Sequence, residues 1–189
     1  MYAGPPGFSA IVDGVTYGLR LALRKVNPND ATAHPSTPEA VAQAVWFRFM
    51  INALNGLIVI GIGGMSILIV FIFISLIDAL LYPNISHAIL ARTSMRGKFL
   101  SFITAFTWVG NLRILLLMTV SLVGATFTQS NSLLILFPFA VWMIWASWSV
   151  ATASLERGGW VGAGMVVLGF IVEMFIGAIT ISYLHPHLP

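Results

Sequence analysis

Beyond residue 50 the chain consists mainly of four long apolar runs. They cover residues 51–82, 98–127, 132–155 and 159–184. A helix rises 1.5 Å per residue, so about 20 apolar residues cross the hydrocarbon core of a bilayer, and each run is long enough. The first run is too long for one upright span and too short for two spans with a turn. Its glycines, between residues 56 and 64, predict one tilted or bent helix. The pattern therefore predicts four membrane spans.

The N-terminal part has a different pattern. Apolar residues recur there at the i, i+3, i+4 and i+7 spacing of one helix face. They are Phe8, Ile11, Val12, Val15, Leu19, Ala22, Leu23 and Val26. Asp13, Arg20 and Arg24 share the other face. This predicts an amphipathic helix over about 8–26 that lies in the lipid headgroup region or packs against a partner protein, and the two interpretations are compatible.

A polar, proline-rich linker follows and ends at Pro38. Pro38 and Glu39 suit the first turn of a helix, because no N–H partner is needed there and a negative charge complements the helix dipole. No helix breaker follows, so this helix is expected to run into the first span, with Arg48 marking its entry into lipid. The chain thus divides into residues 1–37, with the interfacial helix and linker, and residues 38–189, a four-span membrane domain.

Composition agrees with a membrane protein. The 189 residues are 58% hydrophobic and 8% charged, whereas soluble domains are about 45–50% apolar and about 25% charged. The net charge of +3 comes from scattered groups and excludes a nucleic-acid footprint. The absence of cysteine excludes disulfides, thiolate metal sites, iron–sulfur ligation and a cysteine nucleophile. The expected fold class is an all-α integral membrane protein, with four transmembrane helices and an N-terminal amphipathic interfacial helix. Its expected location is a bacterial inner membrane or an organelle membrane.

The basic residues near the predicted spans suggest an orientation. One side of the membrane carries Arg92, Arg96, Lys98 and Arg157, and the other carries Arg48. Cytoplasmic loops have an excess of Lys and Arg. The 83–97 connection is therefore expected to be cytoplasmic, although the basic residues of the amphipathic helix weigh against this assignment.

Ionisable residues inside spans are the first candidates for function, since burying them in lipid is costly. Arg113 in the second span and Glu173 in the fourth lie at nearly the same depth, about 21–23 Å from the same face. We expect an intramembrane ion pair between them that fixes which helices are neighbours. A proton or ion relay in which Glu173 changes its protonation is the alternative.

Asp78 is expected near the membrane surface, just before Pro83. At that level it can reach Arg92, Arg96 or Lys98, and these residues would form a surface charge cluster.

Aromatic residues concentrate in the predicted third span. Trp142, Trp145 and Trp148 step by three and form a slanting stripe. The stripe suits contact with a lipid tail or a hydrophobic cofactor such as a pigment or quinone, and packing against the core or a partner subunit is the alternative.

Histidines offer one option for a metal site. His185 and His187 are predicted on the same side of the membrane as His34, and a C-terminal tail without metal is the alternative. We expect no metal site, and no cofactor other than bound lipids.

From about residue 70 to 178 the order of features resembles the Yip1-type membrane domain of bacteria. A span ending in an acidic residue, "FISLIDALLYPN", precedes a short basic connector, "ILARTSMRGKF". A span containing "FITAFTWVGNL", an aromatic span and a span rich in small residues follow. The acidic and YG-rich N-terminal signatures of the eukaryotic members are missing, as is one of the usual five spans. The resemblance implies a non-enzymatic protein, since members of this family are implicated in membrane trafficking or remain uncharacterised.

The sequence contains no phosphate loop, HExxH or GxSxG motif and no paired carboxylates. We therefore expect a non-catalytic integral membrane subunit, scaffold or assembly factor of a larger membrane complex. Its expected partners are membrane lipids and other membrane subunits, without nucleic acid. The alternative is a small transporter or channel that uses the Arg113–Glu173 pair.

Overall fold

The computed structural model describes residues 5–60, 65–124 and 132–184, and the regular structure in these ranges is helical. Six α-helices follow one another along the chain, with a short 3₁₀ turn at Arg96–Lys98 before the fourth. The helices are α1 (Phe8–Ala22), α2 (Pro38–Ile60), α3 (Met65–Ala91), α4 (Phe99–Gly124), α5 (Ser132–Leu155) and α6 (Gly159–Leu184).

Four of these helices are long and apolar enough to cross a membrane. They are found at Pro38–Ile58, Ile67–Ala91, Arg96–Val120 and Gly159–Tyr183. The predicted fold class is confirmed: the chain is an all-α, multi-pass membrane protein with four such helices and a separate N-terminal helix. Helix α5 falls outside this set within the described residues, yet it is 24 residues long and packs along both α4 and α6.

The prediction of a single helix over 51–82 is wrong. Helix α2 ends at Ile60 and α3 begins at Met65, and the two pack side by side in opposite directions, with Gly56 against Phe71. Each helix extends well beyond the apolar run, α2 towards its N-terminus and α3 past Pro83. Together the two helices are therefore long enough for a hairpin.

The other predicted runs correspond closely to single helices. Helices α5 and α6 occupy the residues of the third and fourth runs, and α4 occupies most of the second. Residues 125–127 of that run, and three glycines of the first run at 61, 63 and 64, lie outside the described residues.

Helix α1 is shorter than the predicted 8–26 because the backbone reverses after Ala22. Arg24 has a positive φ of 55°, and the N–H of Lys25 donates to the carbonyl of Arg20 at 2.8 Å. This hydrogen bond is typical of a helix that ends in a left-handed residue. The turn directs the following linker towards the ends of α4 and α5, where the hydroxyl of Ser101 donates to the Pro28 carbonyl at 3.1 Å.

Two glycines allow α1 to pack closely against the bundle. A Cβ at Gly14 would overlap the ring of Trp108, and one at Gly18 would lie 2.8 Å from the Trp108 carbonyl oxygen. Trp108 is fully buried, with Tyr17 and Leu21 in the same core cluster. The face of α1 that packs on the bundle is therefore the Gly14–Gly18 face, whereas Phe8, Val12, Leu19 and Leu23 of the predicted apolar face stay exposed.

The topology places most of the charged residues at one end of the bundle. We call this end the basic face; here α2, α4 and α6 begin and α3 and α5 end. Asn29, Ser101 and Glu156 meet there, since the Asn29 amide donates to Glu156 at 2.6 Å and Asn29 Oδ1 accepts from Ser101 at 2.5 Å. Every Lys and Arg other than Arg48 and Arg113 belongs to α1, the linker region or the connections at this face.

The opposite end is the uncharged face. The sequence contains no Lys, Arg, Asp or Glu at 49–77, at 114–155 or after residue 173. The four predicted spans placed the basic residues of the N-terminal region on one side of the membrane and those of the 83–97 connection on the other. This prediction is wrong because α2 and α3 are separate helices. The N-terminal linker and the connection between α3 and α4 consequently share one face.

Candidate functional site: an intramembrane charge cluster

Four charged side chains meet between four helices in the middle of the bundle. Arg48 of α2 donates from Nε to Asp78 Oδ2 of α3 at 3.0 Å and from Nη2 to Glu173 Oε1 of α6 at 3.4 Å. Arg113 of α4 forms an ion pair from Nη2 to the same Glu173 oxygen. We call Arg48, Asp78, Arg113 and Glu173 the charge cluster. It connects α2, α3, α4 and α6 in one continuous network.

The cluster is electrically balanced. A single guanidinium at the bilayer centre costs about 2.5–3.5 kcal/mol on insertion scales, and a carboxylate costs a comparable amount. Two positive and two negative groups in contact offset part of this cost, since each charge has an opposite charge as a neighbour. The Asn52 amide adds a 2.7 Å hydrogen bond to Asp78 Oδ2. The network therefore satisfies its charges within one chain.

The structure brings Arg113 and Glu173 together, at the matching depth from which the pair was predicted. Both residues lie in helices that begin at the basic face and run in the same direction. Their depths could be compared by counting residues from the helix starts, because neither α4 nor α6 contains a proline.

The predicted surface cluster around Asp78 is wrong. Helix α3 continues through Pro83 to Ala91, so Asp78 lies halfway along it and is buried. Its charged neighbour is Arg48, whereas Lys98 pairs with Glu156 at 2.9 Å. Arg92 and Arg96 are exposed at the basic face, and neither lies within ion-pair distance of an acid among the described residues.

Arg48 was expected at the membrane surface and is instead in the cluster. The signal that identifies its depth is the helix start at Pro38, since ten residues of helix place Arg48 about 15 Å below that end. Because the first span was predicted to begin at residue 51, Arg48 was placed just outside it, at the membrane surface.

A polar cleft opens beside the cluster on the side of the uncharged face. Its volume is about 250 Å³. The cluster residues line its floor, and its polar walls are formed by Asn52, Asn55, Ser75 and Thr180. Towards the basic face, two cavities of about 20 Å³ each adjoin the cluster. Tyr82 and Phe106, whose rings stack 4.9 Å apart, line the first of these cavities. The polar cleft thus extends from the cluster towards the uncharged face, and Tyr82 and Phe106 pack on the other side of the cluster.

Known proteins do not identify this arrangement. No known protein family matches the chain, no characterised protein matches it, and no solved structure matches it. The function is therefore inferred from the charge cluster, the cleft and the surfaces of the molecule.

Proton transfer is the chemistry that this site allows in principle. Arginine stays protonated, so only Asp78 or Glu173 can exchange a proton. Protonation of Glu173 would leave Arg113 without its carboxylate partner, since no other acid pairs with Arg113 among the residues the structure describes. The carboxylate of Glu173 is therefore the group on which the ion pair of Arg113 depends.

The predicted tryptophan stripe separates into different environments. Trp142 is partly buried against the core, with its ring 5.9 Å from that of Phe139. Trp145 is 39% exposed and lies beneath the guanidinium of Arg24, 4.2 Å from the ring centroid. Trp148 is 37% exposed, and its indole N–H donates to the Gly159 carbonyl at 2.9 Å. Trp145 and Trp148 are therefore available to a bound lipid.

The histidines do not form a metal site in the described ranges. The ring of His34 stacks on Tyr17 with a centroid distance of 4.6 Å. No group of three or more His, Asp or Glu suited to a metal ion occurs in this part of the chain. His185 and His187 lie outside the described residues.

Outside the spans, burial raises the pKa of the Tyr17 hydroxyl to about 12, and the negative charge of Asp30 adds to this effect. Tyr17 is therefore neutral at physiological pH and acts as a packing residue between α1 and the linker, with its hydroxyl 3.5 Å from the Pro28 carbonyl.

Proposed function

We propose that the protein is a non-catalytic integral membrane subunit or scaffold of a larger membrane complex, in which the charge cluster clamps the helices in one arrangement. The observation that carries the proposal is the balance of the cluster, since two arginines and two acids from four helices neutralise one another within the chain. A scaffold requires a fixed helix arrangement, and paired charges in lipid hold one because separating them is costly.

The distribution of charge supports an orientation with the basic face in the cytoplasm. Lys and Arg near span ends mark the cytoplasmic side, and here they lie at one end of the bundle only. We place the protein in a bacterial inner membrane or an organelle membrane, with the uncharged face on the opposite side.

The Yip1-type resemblance agrees with a non-enzymatic role. The sequence predicted four spans, whereas proteins with the Yip1-type domain usually have five. Helices α2 to α6 are 23–27 residues long, so a fifth long helix accompanies the four that are long and apolar enough to cross a membrane.

The experiment compares Arg113→Met, Glu173→Gln and the double variant in the full chain. Each single change leaves the cluster with one charge that is not balanced, so we expect loss of assembly on a native gel after mild-detergent purification. The double variant removes both charges of the pair and leaves Arg48 with Asp78, so assembly is expected to return. Purification of the parent chain as a monomer without partners would contradict the scaffold proposal.

The polar cleft favours a second candidate, a small transporter or channel. A cavity that extends from the charge cluster towards one face, with the rings of Tyr82 and Phe106 packed on the other side of the cluster, resembles a one-sided access pathway. Asn55→Leu and Thr180→Val make the lining of the cleft apolar at two positions without removing an ion pair. Loss of solute or proton flux in proteoliposomes, with assembly unchanged, would support transport and contradict a purely structural role.

A further inference from the structure

A groove at the basic face lies between the end of α1 and the end of α5. Its volume is about 470 Å³. Arg24 and Lys25 provide its positive charge, and Trp148 and Ser149 of α5 form the opposite wall. The groove is remote from the charge cluster, with which it shares no residue.

Arg24 occupies an unusual backbone position at this groove. Its φ of 55° lies in the left-handed region, where glycine is the usual residue after a helix end. The conformation directs the side chain onto α5, where Nε donates to Ser149 Oγ at 2.8 Å and the guanidinium lies over Trp145. These contacts leave the terminal nitrogens of Arg24 available to an acceptor from outside.

The acids in the described part of the chain do not neutralise the positive charge of the groove. Glu156 is engaged by Lys98 at 2.9 Å and by Asn29 at 2.6 Å. Asp30 accepts hydrogen bonds from Thr32. No acid forms an ion pair with Arg24 or Lys25 among the residues described. A ligand that fits the groove by charge is therefore an anion.

An exposed apolar stripe leads away from the groove along α5 towards the uncharged face. It consists of Phe137, Val141, Ile144, Trp145 and Trp148. The spacing of three and four residues puts these side chains on one face of the helix. From Trp148 to Phe137 the stripe is about 16 Å long, which is close to half the thickness of a hydrocarbon core.

The exposed face of α1 places the groove at the level of the lipid headgroups. Phe8, Val12, Leu19 and Leu23 are exposed on the face that does not pack on the bundle. An amphipathic helix with such a stripe lies at the boundary between headgroups and acyl chains. Arg24, one residue beyond Leu23, is then at the depth of a phosphate.

We propose that this groove binds the headgroup of an anionic phospholipid, whose phosphate contacts Arg24 and Lys25 and whose acyl chain lies along the α5 stripe. The apolar stripe distinguishes this ligand from a soluble anion, since only a lipid uses both surfaces. The proposal is independent of the role of the charge cluster.

The test uses tryptophan fluorescence of the full chain in phosphatidylcholine vesicles. Bromine on an acyl chain quenches a tryptophan that it contacts, and Trp145 and Trp148 adjoin the site. At equal mole fraction, brominated phosphatidylglycerol is expected to quench more than brominated phosphatidylcholine. Each basic residue near an anionic lipid contributes a factor of about five in affinity, so Arg24→Gln/Lys25→Gln should abolish the difference.

Arg92→Gln/Arg96→Gln is the matched control, since it removes two exposed charges from the same face away from the groove. It should retain the preference for the anionic lipid. Arg24→Gly controls for misfolding, because glycine suits the left-handed backbone at this position. This variant should elute from a size-exclusion column at the same volume as the parent protein. It should nevertheless lose much of the preference for the anionic lipid.

Three results would overturn the proposal. Equal quenching by the two brominated lipids in the parent protein would show that the groove has no preference. An equal loss in the Arg92/Arg96 control would indicate a general surface-charge effect. Removal of the preference by millimolar inorganic phosphate would identify a soluble anion as the ligand.

Discussion

The protein contains two sets of ion-paired side chains with similar geometry and different surroundings. In the charge cluster, Arg48 and Asp78 approach to 3.0 Å with side chains 14% and 10% exposed. At the basic face, Lys98 and Glu156 approach to 2.9 Å with side chains 40% and 56% exposed. Water solvates the separated partners of the exposed pair, so that pair gains little. Lipid offers no such solvation, so breaking the cluster is costly although its bonds are no shorter.

The largest decrease in the free energy of unfolding is expected for Arg48→Met. Arg48 is the only residue that contacts both acids of the cluster within the described structure, so its loss leaves Asp78 without an ion-pair partner. Removing one partner of a buried pair typically costs about 3–5 kcal/mol. We expect a decrease of this size in the free energy of unfolding, measured by titration with a denaturing detergent.

Arg113→Met is the matched comparison. It removes the same functional group from the same cluster, yet Glu173 keeps Arg48 as a partner. Arg113→Met should therefore decrease the free energy of unfolding by less than Arg48→Met does. Equal effects would show that the two arginines are interchangeable, and the central role assigned to Arg48 would be wrong.

Asn52→Leu should cause the next largest decrease in the free energy of unfolding. The Asn52 amide donates to the buried carboxylate of Asp78 at 2.7 Å, and a hydrogen bond to a charged group contributes about 1.5–3 kcal/mol. Asn55→Leu is the control, because Asn55 lines the cleft and has no hydrogen bond within the described residues. If the two variants unfold at the same detergent concentration, polar contacts around Asp78 do not stabilise the cluster.

The cluster shows how far counting along the sequence can place a residue. Arg113 and Glu173 lie in helices whose starts coincide with the starts of the apolar runs, so their depths were predictable. Arg48 and Asp78 lie in helices that continue outside the apolar run. Pro83 does not end α3, although proline removes a backbone donor and is unfavourable in a helix interior.

The fold shows a similar limit for the N-terminal helix. Its amphipathic pattern predicted a helix and its exposed apolar stripe, because periodicity identifies an apolar face. The face that packs on the bundle contains Gly14 and Gly18, which have no apolar side chain to reveal it. Their role depends on the position of Trp108 nearly one hundred residues later in the chain, and no local pattern contains that information.

Lys98→Gln tests the exposed pair and should have a smaller effect than Asn52→Leu. Salt screens charges at the surface and acts weakly on buried ones. The difference between Lys98→Gln and the parent should therefore disappear at high salt, whereas the difference between Arg48→Met and the parent should persist. A Lys98→Gln effect that does not respond to salt would contradict the contrast between the two sets of pairs.

The smallest effect is expected from the pH dependence of the exposed pair. The hydrogen bond from Lys98, together with its charge, holds the pKa of Glu156 below its usual value of 4.5. A lowered folded-state pKa means that the stabilisation is present above the unfolded-state pKa and is lost as the pH falls through the folded-state value. Thermal unfolding from pH 7 to pH 3 should therefore show an advantage of the parent over Glu156→Gln that narrows below about pH 4.5. Asp30, whose pKa is lowered by hydrogen bonds from Thr32, titrates in both proteins and cancels in this difference. An advantage that stayed constant down to pH 3 would show that the carboxylate of Glu156 does not stabilise the basic face through its charge.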